Sequence, residues 1–199
     1  MDADNSTSVN DVNDNNQPSW IYDQLSWCLS WAWGNVRARA QPHISNRYTA
    51  DCVYSVPNKK FEIHLGGLPS LFNEEKLIEN GITHILTAVL GIGNKYPKDK
   101  FALLNIPIRD VEWEKICEYF DQAVDFIKEC EKVDGKIFVH CMCGVSRSAT
   151  LVAAYLIKEK GFTAQQAIDY LHSKRKQVDP NQGFRKQLEY YEANLKRVS

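Results

Sequence analysis

Residues 136–160 read KIFVHCMCGVSRSATLVAAYLIKEK, and this stretch decides the fold. Its first residues, Lys136–Val139, form a short apolar run that predicts a buried strand. Its last part, Ser148–Lys160, has apolar side chains nearly all round the helical wheel, which predicts a buried helix. The loop between them therefore connects the carboxyl end of a strand to the amino end of a helix.

Strand and helix patterns alternate along the chain from residue 61 onward. The predicted strands are Phe61–Leu65, Ile82–Ala88 and Phe101–Ile106, and the predicted helices are Asn73–Asn80 with Asn73 as N-cap, Glu114–Val133, a helix that begins with a Thr163–Gln166 capping box, and a last helix after Asn181. This alternation indicates an α/β fold with a mostly parallel sheet. Ligands bind at the carboxyl ends of such strands, so the loop after Val139 is the first candidate site.

The composition is that of an ordinary globular domain. The chain has 199 residues, 44% hydrophobic and 25% charged, which excludes a collagen-like or wholly disordered chain. The net charge of −1 argues against a dedicated nucleic-acid-binding protein, because neutralising phosphates requires a basic surplus. Neither a membrane-length apolar run nor a secretory signal is visible in the sequence. We therefore expect a cytoplasmic protein, with the nucleus as a second location.

Six cysteines are present, and their spacing fits neither paired zinc knuckles nor a compact disulfide framework. Reduced thiols in an intracellular protein are the simpler interpretation. For Cys52, Cys117 and Cys130 we expect the ordinary role of a buried cysteine, that of an inert small hydrophobic side chain.

The chain divides into three predicted regions: a disordered acidic tail (1–19), a Trp-rich helix with a linker (20–51) and a globular domain (52–199). The segment Trp20–Trp33 reads WIYDQLSWCLSWAW and suits an amphipathic helix. Such a helix either packs on the globular domain or contacts a membrane boundary or a protein groove. The sequence leaves both interpretations open.

The loop at residues 140–147 has the features of an anion-binding site. The first N–H groups of a helix lack intrahelical partners and lie at the positive end of its dipole. A tight loop that runs into this end forms a concave nest for a phosphate-sized dianion. Gly144 lets the backbone curl, and the planar guanidinium of Arg147 can bind two phosphate oxygens together. The predicted ligand is therefore a phosphate group.

Cys141 lies at the base of this nest and is the candidate nucleophile. A free thiol has a pKa of about 8.5, and a helix N-terminus or a nearby cation lowers it to about 3.5–7.5. The resulting thiolate can attack phosphorus and form a phosphocysteine, which water then hydrolyses. Because the loop itself supplies the positive charge, we expect no metal and no cofactor in this reaction.

Residues 139–148 resemble the signature loop of the protein tyrosine phosphatase superfamily, which is His-Cys, five residues, Arg, and then Ser or Thr. The Gly-Val-Ser-Arg-Ser ending is most similar to that of dual-specificity phosphatases. Similar words stand at Leu65–Pro69, Gly81–Leu86, Ala154–Leu156 and Pro180–Phe184. The resemblance covers about residues 52–197. It implies a three-layer fold in which helices lie on both sides of a mostly parallel sheet.

The resemblance implies roles for the residues of the loop. Cys141 is the expected nucleophile and Arg147 the expected phosphate-binding residue, while Ser148 helps the thiolate leave when the phosphocysteine is hydrolysed. The remaining loop residues line the expected substrate site: Met142, Cys143, Gly144, Val145 and Ser146.

Three further residues are implicated outside or at the edge of the loop. His140 is expected to orient the loop and to help lower the pKa of the thiol, and Asn181 is expected to support the loop from the last connection. A serine or threonine alkoxide leaves only when protonated, so the reaction needs a general acid. Asp110 stands where the family carries this acid, with Glu112 and Glu114 as neighbouring competitors.

The implied function is metal-independent hydrolysis of phosphotyrosine and of phosphoserine or phosphothreonine on proteins, protein kinases included. Other phosphatases of the superfamily act on phosphoinositides, RNA 5′-phosphates or glycans, and a pseudophosphatase would bind phosphorylated partners without turnover. Lysines inside the loop are typical of phosphoinositide phosphatases, and the side chains of Met142, Cys143, Val145 and Ser146 carry no charge. The retained Cys141, Arg147 and Asp110 favour an enzyme.

Two local features have two interpretations each. Cys143 is either a tolerated small residue or a thiol that traps oxidised Cys141 as a disulfide. The run Lys174-Arg175-Lys176 is either a solvated helix face or a site that attracts a second phosphate or an acidic flank.

Overall fold

The computed structural model describes residues 50–68, 74–91 and 96–198. The acidic tail, the Trp-rich segment Trp20–Trp33 and the predicted N-cap Asn73 lie outside these ranges, so the expectations for them stay predictions. Within the described residues, no helix is both long and apolar enough to cross a membrane.

A five-stranded sheet forms the centre of the domain. Its strands are β1 (Asp51–Ser55), β2 (Glu62–Gly66), β3 (His84–Thr87), β4 (Ala102–Asn105) and β5 (Lys136–His140). Their spatial order is β1-β2-β5-β3-β4, in which β1 is antiparallel to β2 and the other neighbours are parallel. The predicted α/β class with a mostly parallel sheet is confirmed.

Strand β1 was not predicted from the sequence, because it is short and its buried positions do not alternate regularly. The pairing shifts between Cys52 and Tyr54, which leaves Val53 as an extra residue in the ladder. Cys52 is exposed, so the expectation that it is a buried hydrophobic side chain is wrong. An edge strand with one bulge offers only one side to the core, and such a strand needs no long apolar run.

Five α-helices accompany the described strands: α1 (Glu74–Glu79), α2 (Phe120–Lys132), α3 (Arg147–Lys160), α4 (Ala164–Lys174) and α5 (Gln182–Val198). The Thr163–Gln166 capping box at the start of α4 is present as predicted. Helix α3 is buried from Arg147 to Ile157 and packs against α2, α4 and α5, which explains the absence of a polar face in its sequence.

The predicted helix Glu114–Val133 begins later than expected, with a 3₁₀ turn at Ile116–Tyr119 before α2. The side chain of Gln187 in α5 explains the difference. Its amide nitrogen donates to Glu114 O at 2.9 Å, and its amide oxygen accepts from Cys117 N at 3.0 Å. These backbone groups therefore bond to α5 and are withdrawn from a regular helical ladder.

Three parallel strands end at the same edge of the sheet. In the ladders, His140 at the end of β5 pairs with Gly66 of β2 on one side and with Thr87 of β3 on the other. The next residue after β3, Ala88, donates its N–H to His140 O at 2.8 Å. The loop that follows His140 is thus held at the carboxyl edge of the sheet, where the sequence predicts the site.

Candidate active site

The signature loop, residues 140–147, is packed tightly against the end of β2. Leu68 N donates to Met142 O at 2.9 Å. Gly144 has a φ of +67°, and a Cβ at this position would lie 2.5 Å from the carbonyl carbon and oxygen of Gly66. A Cβ on Gly67 would lie 3.1 Å from Met142 O. Close backbone approach therefore requires glycine on both sides of this contact.

The Cys141 thiol is free, almost completely buried and surrounded by donors. Its Sγ atom accepts from Gly144 N and from Ser148 Oγ, each at 3.2 Å. Burial by itself raises the pKa of this thiol, but the positive charge of Arg147 and the hydrogen bonds from Ser148 outweigh it, and the pKa lies below the ordinary value for cysteine. The site therefore favours a nucleophilic thiolate. A disulfide between Cys141 and Cys143 stays a prediction for the oxidised protein.

Arg147 is the first residue of α3, and its side chain is 6% exposed. One Nη1–H donates to Ile108 O at 3.3 Å. The Nε atom is buried and has no hydrogen-bond partner among the described residues, although Asp110 Oδ2 lies 3.5 Å away. A buried N–H without a partner is costly, and an incoming phosphate oxygen would satisfy it.

Asp110 lies at the rim of the site and is bound to two other predicted site residues. Its Oδ1 atom accepts from Ser146 Oγ at 2.7 Å and from Asn181 Nδ2 at 2.9 Å. Asn181 also donates its backbone N–H to Ser146 Oγ at 3.2 Å, and its Oδ1 accepts from Phe184 N at 2.9 Å. The structure thus brings Asp110, Ser146 and Asn181 together at the start of α5.

The competing acids are placed differently. Glu114 is paired with Arg109, whose Nε lies 3.3 Å from its carboxylate. Glu112 is exposed, and its backbone touches the start of α5, where a Cβ on Gly183 would lie 1.9 Å from Glu112 O. Asp110 is therefore the best-placed acid of the three, and Gly183 is required for the close packing of this loop on α5.

His140 is fully buried, and its Nε2 lies 2.9 Å from Thr87 Oγ1. Its ring stacks on Phe138 with 5.0 Å between ring centres. Burial, together with the positive charge of Arg147, lowers the pKa of His140 to about 4. The imidazole is therefore neutral at pH 7 and adds no positive charge beside Cys141. The expectation that it helps lower the thiol pKa needs this correction, whereas its place at the start of the loop suits an orienting role.

Taken together, these residues form a phosphate-sized site with a thiolate at its base. Comparison with known proteins gives the same assignment: residues 63–194 match the family described as dual specificity phosphatase, catalytic domain. The chain belongs to this family.

Relatives in several organisms show how far the likeness extends. The dual specificity protein phosphatase 1 of Arabidopsis thaliana is 38% identical over 67% of this chain and 67% of its own length. The MAP kinase phosphatase with leucine-rich repeats protein 3 of Dictyostelium discoideum is 43% identical over 72% of this chain, which spans only 17% of that longer protein. The solved structure of the human tyrosine phosphatase-like serine/threonine/tyrosine-interacting protein has a TM-score of 0.67 at 29% identity, covering 77% of this chain and 100% of that one.

The other residues of the phosphatase loop present mainly backbone to the site. Met142 is buried, Cys143 and Val145 are half-buried, and Gly144 and Ser146 are buried. The carbonyl oxygens of the loop are tied to neighbouring segments, since Val145 O accepts from Asp179 N at 3.0 Å. With the carbonyl oxygens engaged elsewhere, the N–H groups are available to an anion.

Sequence analysis missed Arg175 as a residue of this site. It is 6% exposed, so for Arg175 the expectation of a solvated helix face is wrong. Its Nε donates to Gly144 O at 3.1 Å, its Nη2 donates to Cys143 O at 3.4 Å, and its Nη1 is paired with the carboxylate of Asp51 in β1. Arg175 therefore ties the back of the signature loop to the edge strand. The only sequence signal was its place in a basic run, which does not distinguish a buried arginine from exposed lysines.

Proposed function

We propose that this chain hydrolyses phosphate monoesters of tyrosine and of serine or threonine side chains on proteins, through a phosphocysteine at Cys141. The observation that carries the proposal is the buried Cys141 thiol, which accepts two hydrogen bonds beside a buried Arg147 with an unsatisfied Nε–H. Family membership supports protein phosphatase activity in general. Dual specificity toward protein substrates is the finer part of the proposal.

In the first step, the phosphate of the substrate binds to the N–H groups of the signature loop and to Arg147. The Cys141 thiolate attacks phosphorus, an S–P bond forms, and the bond from phosphorus to the substrate oxygen breaks. That oxygen takes a proton from Asp110, which becomes a carboxylate. The donors around the phosphate stabilise the charge of the equatorial oxygens in the transition state.

In the second step, water attacks the phosphocysteine and gives a proton to the Asp110 carboxylate. The S–P bond breaks, inorganic phosphate leaves and Cys141 returns as a thiolate. The Ser148 hydroxyl, 3.2 Å from Sγ, donates to the sulfur as its negative charge returns. Protons and charges balance over the two steps, and the chemistry uses only groups of this chain, the substrate and one water.

The uncharged side chains of the signature loop support a phosphoprotein substrate over a phosphoinositide, because extra phosphates on an inositol ring require extra cations. One relative is by its name a MAP kinase phosphatase, which supports phosphorylated kinases as one substrate class. Because the chain spans a small part of that relative, the substrates of the whole protein belong to the proposal.

The decisive experiment compares the wild-type protein with Cys141→Ser, and with Cys117→Ser as a thiol control away from the loop. We expect wild type and Cys117→Ser to hydrolyse p-nitrophenyl phosphate and phosphopeptides equally, with EDTA present, and Cys141→Ser to be inactive. Rapid acid quenching and mass spectrometry should find a phosphoryl group on Cys141. Tight binding of phosphopeptides without turnover by the wild type would instead indicate a pseudophosphatase.

A further inference from the structure

We propose that Cys52, Glu62 and His64 form a zinc-binding site on strands β1 and β2, separate from the residues of the phosphatase reaction. The thiol of Cys52, a carboxylate oxygen of Glu62 and a ring nitrogen of His64 lie within 4.8 Å of one another. The strand ladder fixes this proximity, since Cys52 pairs directly with His64 and Glu62 is two residues before His64 on the same face of β2.

These residue types match the ligands that zinc uses in proteins. Thiolate, imidazole and carboxylate bind Zn²⁺ at about 2.0–2.3 Å, which places tetrahedral donors roughly 3.4 Å apart. The three donor atoms therefore need to approach by little more than 1 Å, and the exposed Cys52 side chain can supply much of this movement by rotating about its χ1 bond. Three protein ligands leave a fourth position for water.

The hydrogen bonding of His64 points to a cation independently of the cluster. Its side chain is 9% exposed, and its Nε2 bonds to Glu62 Oε2 at 2.7 Å. Its Nδ1 is buried and has no hydrogen-bond partner among the residues that the structure describes. A histidine that binds a metal through one nitrogen generally donates from the other to a carboxylate, and His64 already makes that second contact.

The charges around the cluster leave a carboxylate oxygen for the metal. Lys136 Nζ lies 3.0 Å from Glu62 Oε2, the same oxygen that contacts His64. The contacts given for Glu62 thus use Oε2, so Oε1 is the oxygen that can reach the ion. A thiolate and a carboxylate together balance the charge of Zn²⁺, and the exposed Cys52 provides an entry path.

Zinc at this position would fasten edge strand β1 to β2. Asp51, the neighbour of Cys52, is paired with Arg175, which holds the carbonyl oxygens of Cys143 and Gly144 in the signature loop. Binding at this metal site should therefore raise the melting temperature of the domain, because zinc binds the folded strand pair and not the unfolded chain.

The test uses untagged protein with the Cys141→Ser substitution, because the active-site thiol is itself a metal ligand. Cobalt(II) serves as a spectroscopic probe and zinc as its competitor. We expect one equivalent of cobalt to bind with a near-ultraviolet thiolate charge-transfer band, and zinc to displace it. Added Cys52→Ser should abolish the band and weaken zinc binding by at least about tenfold. Added Cys117→Ser should leave both unchanged.

A second variant guards against an effect on folding. Glu62→Gln keeps the size of the side chain, and we expect it to weaken zinc binding while the far-ultraviolet circular dichroism of the metal-free protein stays that of the parent. Equal cobalt spectra and equal zinc affinities in the parent, Cys52→Ser and Glu62→Gln would overturn the proposal, as would the absence of any zinc-dependent rise in melting temperature.

Discussion

Ser146 donates its hydroxyl to Asp110 at 2.7 Å, so the residue that precedes the phosphate-binding Arg147 also holds the proposed general acid. The same hydroxyl accepts from the backbone of Asn181 at 3.2 Å. One side chain therefore connects three separate segments: the signature loop, the loop after β4 and the start of α5. The position of the acid relative to the nucleophile depends on this connection.

Ser146→Ala should reduce kcat toward phosphoserine and phosphothreonine peptides by about tenfold, the effect of one lost hydrogen bond to a charged group. Activity toward p-nitrophenyl phosphate should fall much less, because its leaving group departs without a proton. Ser173→Ala, which removes an exposed hydroxyl bonded to Tyr170 O, is the matched control. Equal losses on both substrates would mean that Ser146 supports the loop and does not position the acid.

Asp110→Asn should slow the hydrolysis of phosphoserine and phosphothreonine peptides by about 10²–10⁴-fold, the usual contribution of a general acid. The amide is isosteric and its oxygen can still accept from Ser146 and Asn181, so the loop should keep its place. Steady-state kinetics on peptides and on an aryl phosphate with a good leaving group separate the two effects. If both substrates lose activity to the same extent, Asp110 is not the acid, and Glu112→Gln becomes the next variant to measure.

Local and distant contacts explain how much of this site could be predicted from the sequence. The nucleophile Cys141 and Arg147 lie on one contiguous loop between a strand and a helix, so spacing alone brings them together. Asp110 could be predicted only as a residue of the right type after a strand, because its contact with Asn181 joins positions 71 residues apart. Arg175 and Asp51 are 124 residues apart, and β1 is a short strand with a bulge, so no local pattern revealed their pairing.

Arg175→Ala should weaken phosphate binding as well as stability, because two loop carbonyl oxygens lose their donor. Asp51 is half exposed, so we expect a modest loss of about 1–2 kcal/mol in the free energy of unfolding. A role in positioning the loop predicts an added rise in the inhibition constant of vanadate, which a purely structural role would not produce. Lys174→Ala is the control, and an unchanged vanadate constant in Arg175→Ala would contradict the positioning role.

The lowered pKa of Cys141 predicts that iodoacetamide inactivates the enzyme rapidly below pH 8, where an unperturbed thiol is mostly protonated. The pH dependence of the alkylation rate measures this pKa directly. Ser148→Ala removes a donor to the thiolate, so its titration should shift to higher pH while Cys117→Ser leaves it in place. A wild-type profile that coincides with that of an ordinary thiol would contradict the proposed mechanism.

The buried His140 predicts how stability depends on pH. Its pKa is lowered in the folded state, from 6.5 to about 4, so the folded protein resists protonation of this ring while the unfolded chain accepts the proton. The contribution of the neutral imidazole is therefore complete above pH 6.5 and is lost as pH falls toward 4, by about 3 kcal/mol in all.

Urea unfolding of the wild type and of His140→Gln at pH 7.5, 6, 5 and 4 tests this dependence. The glutamine does not titrate, so the free energy of unfolding should fall less steeply with acid in the variant, and the difference between the two proteins should narrow as pH decreases. Carboxylates titrate equally in both proteins and cancel in this comparison. Parallel curves would show that His140 is protonated in the folded state at neutral pH, and would restore a positive charge beside Cys141.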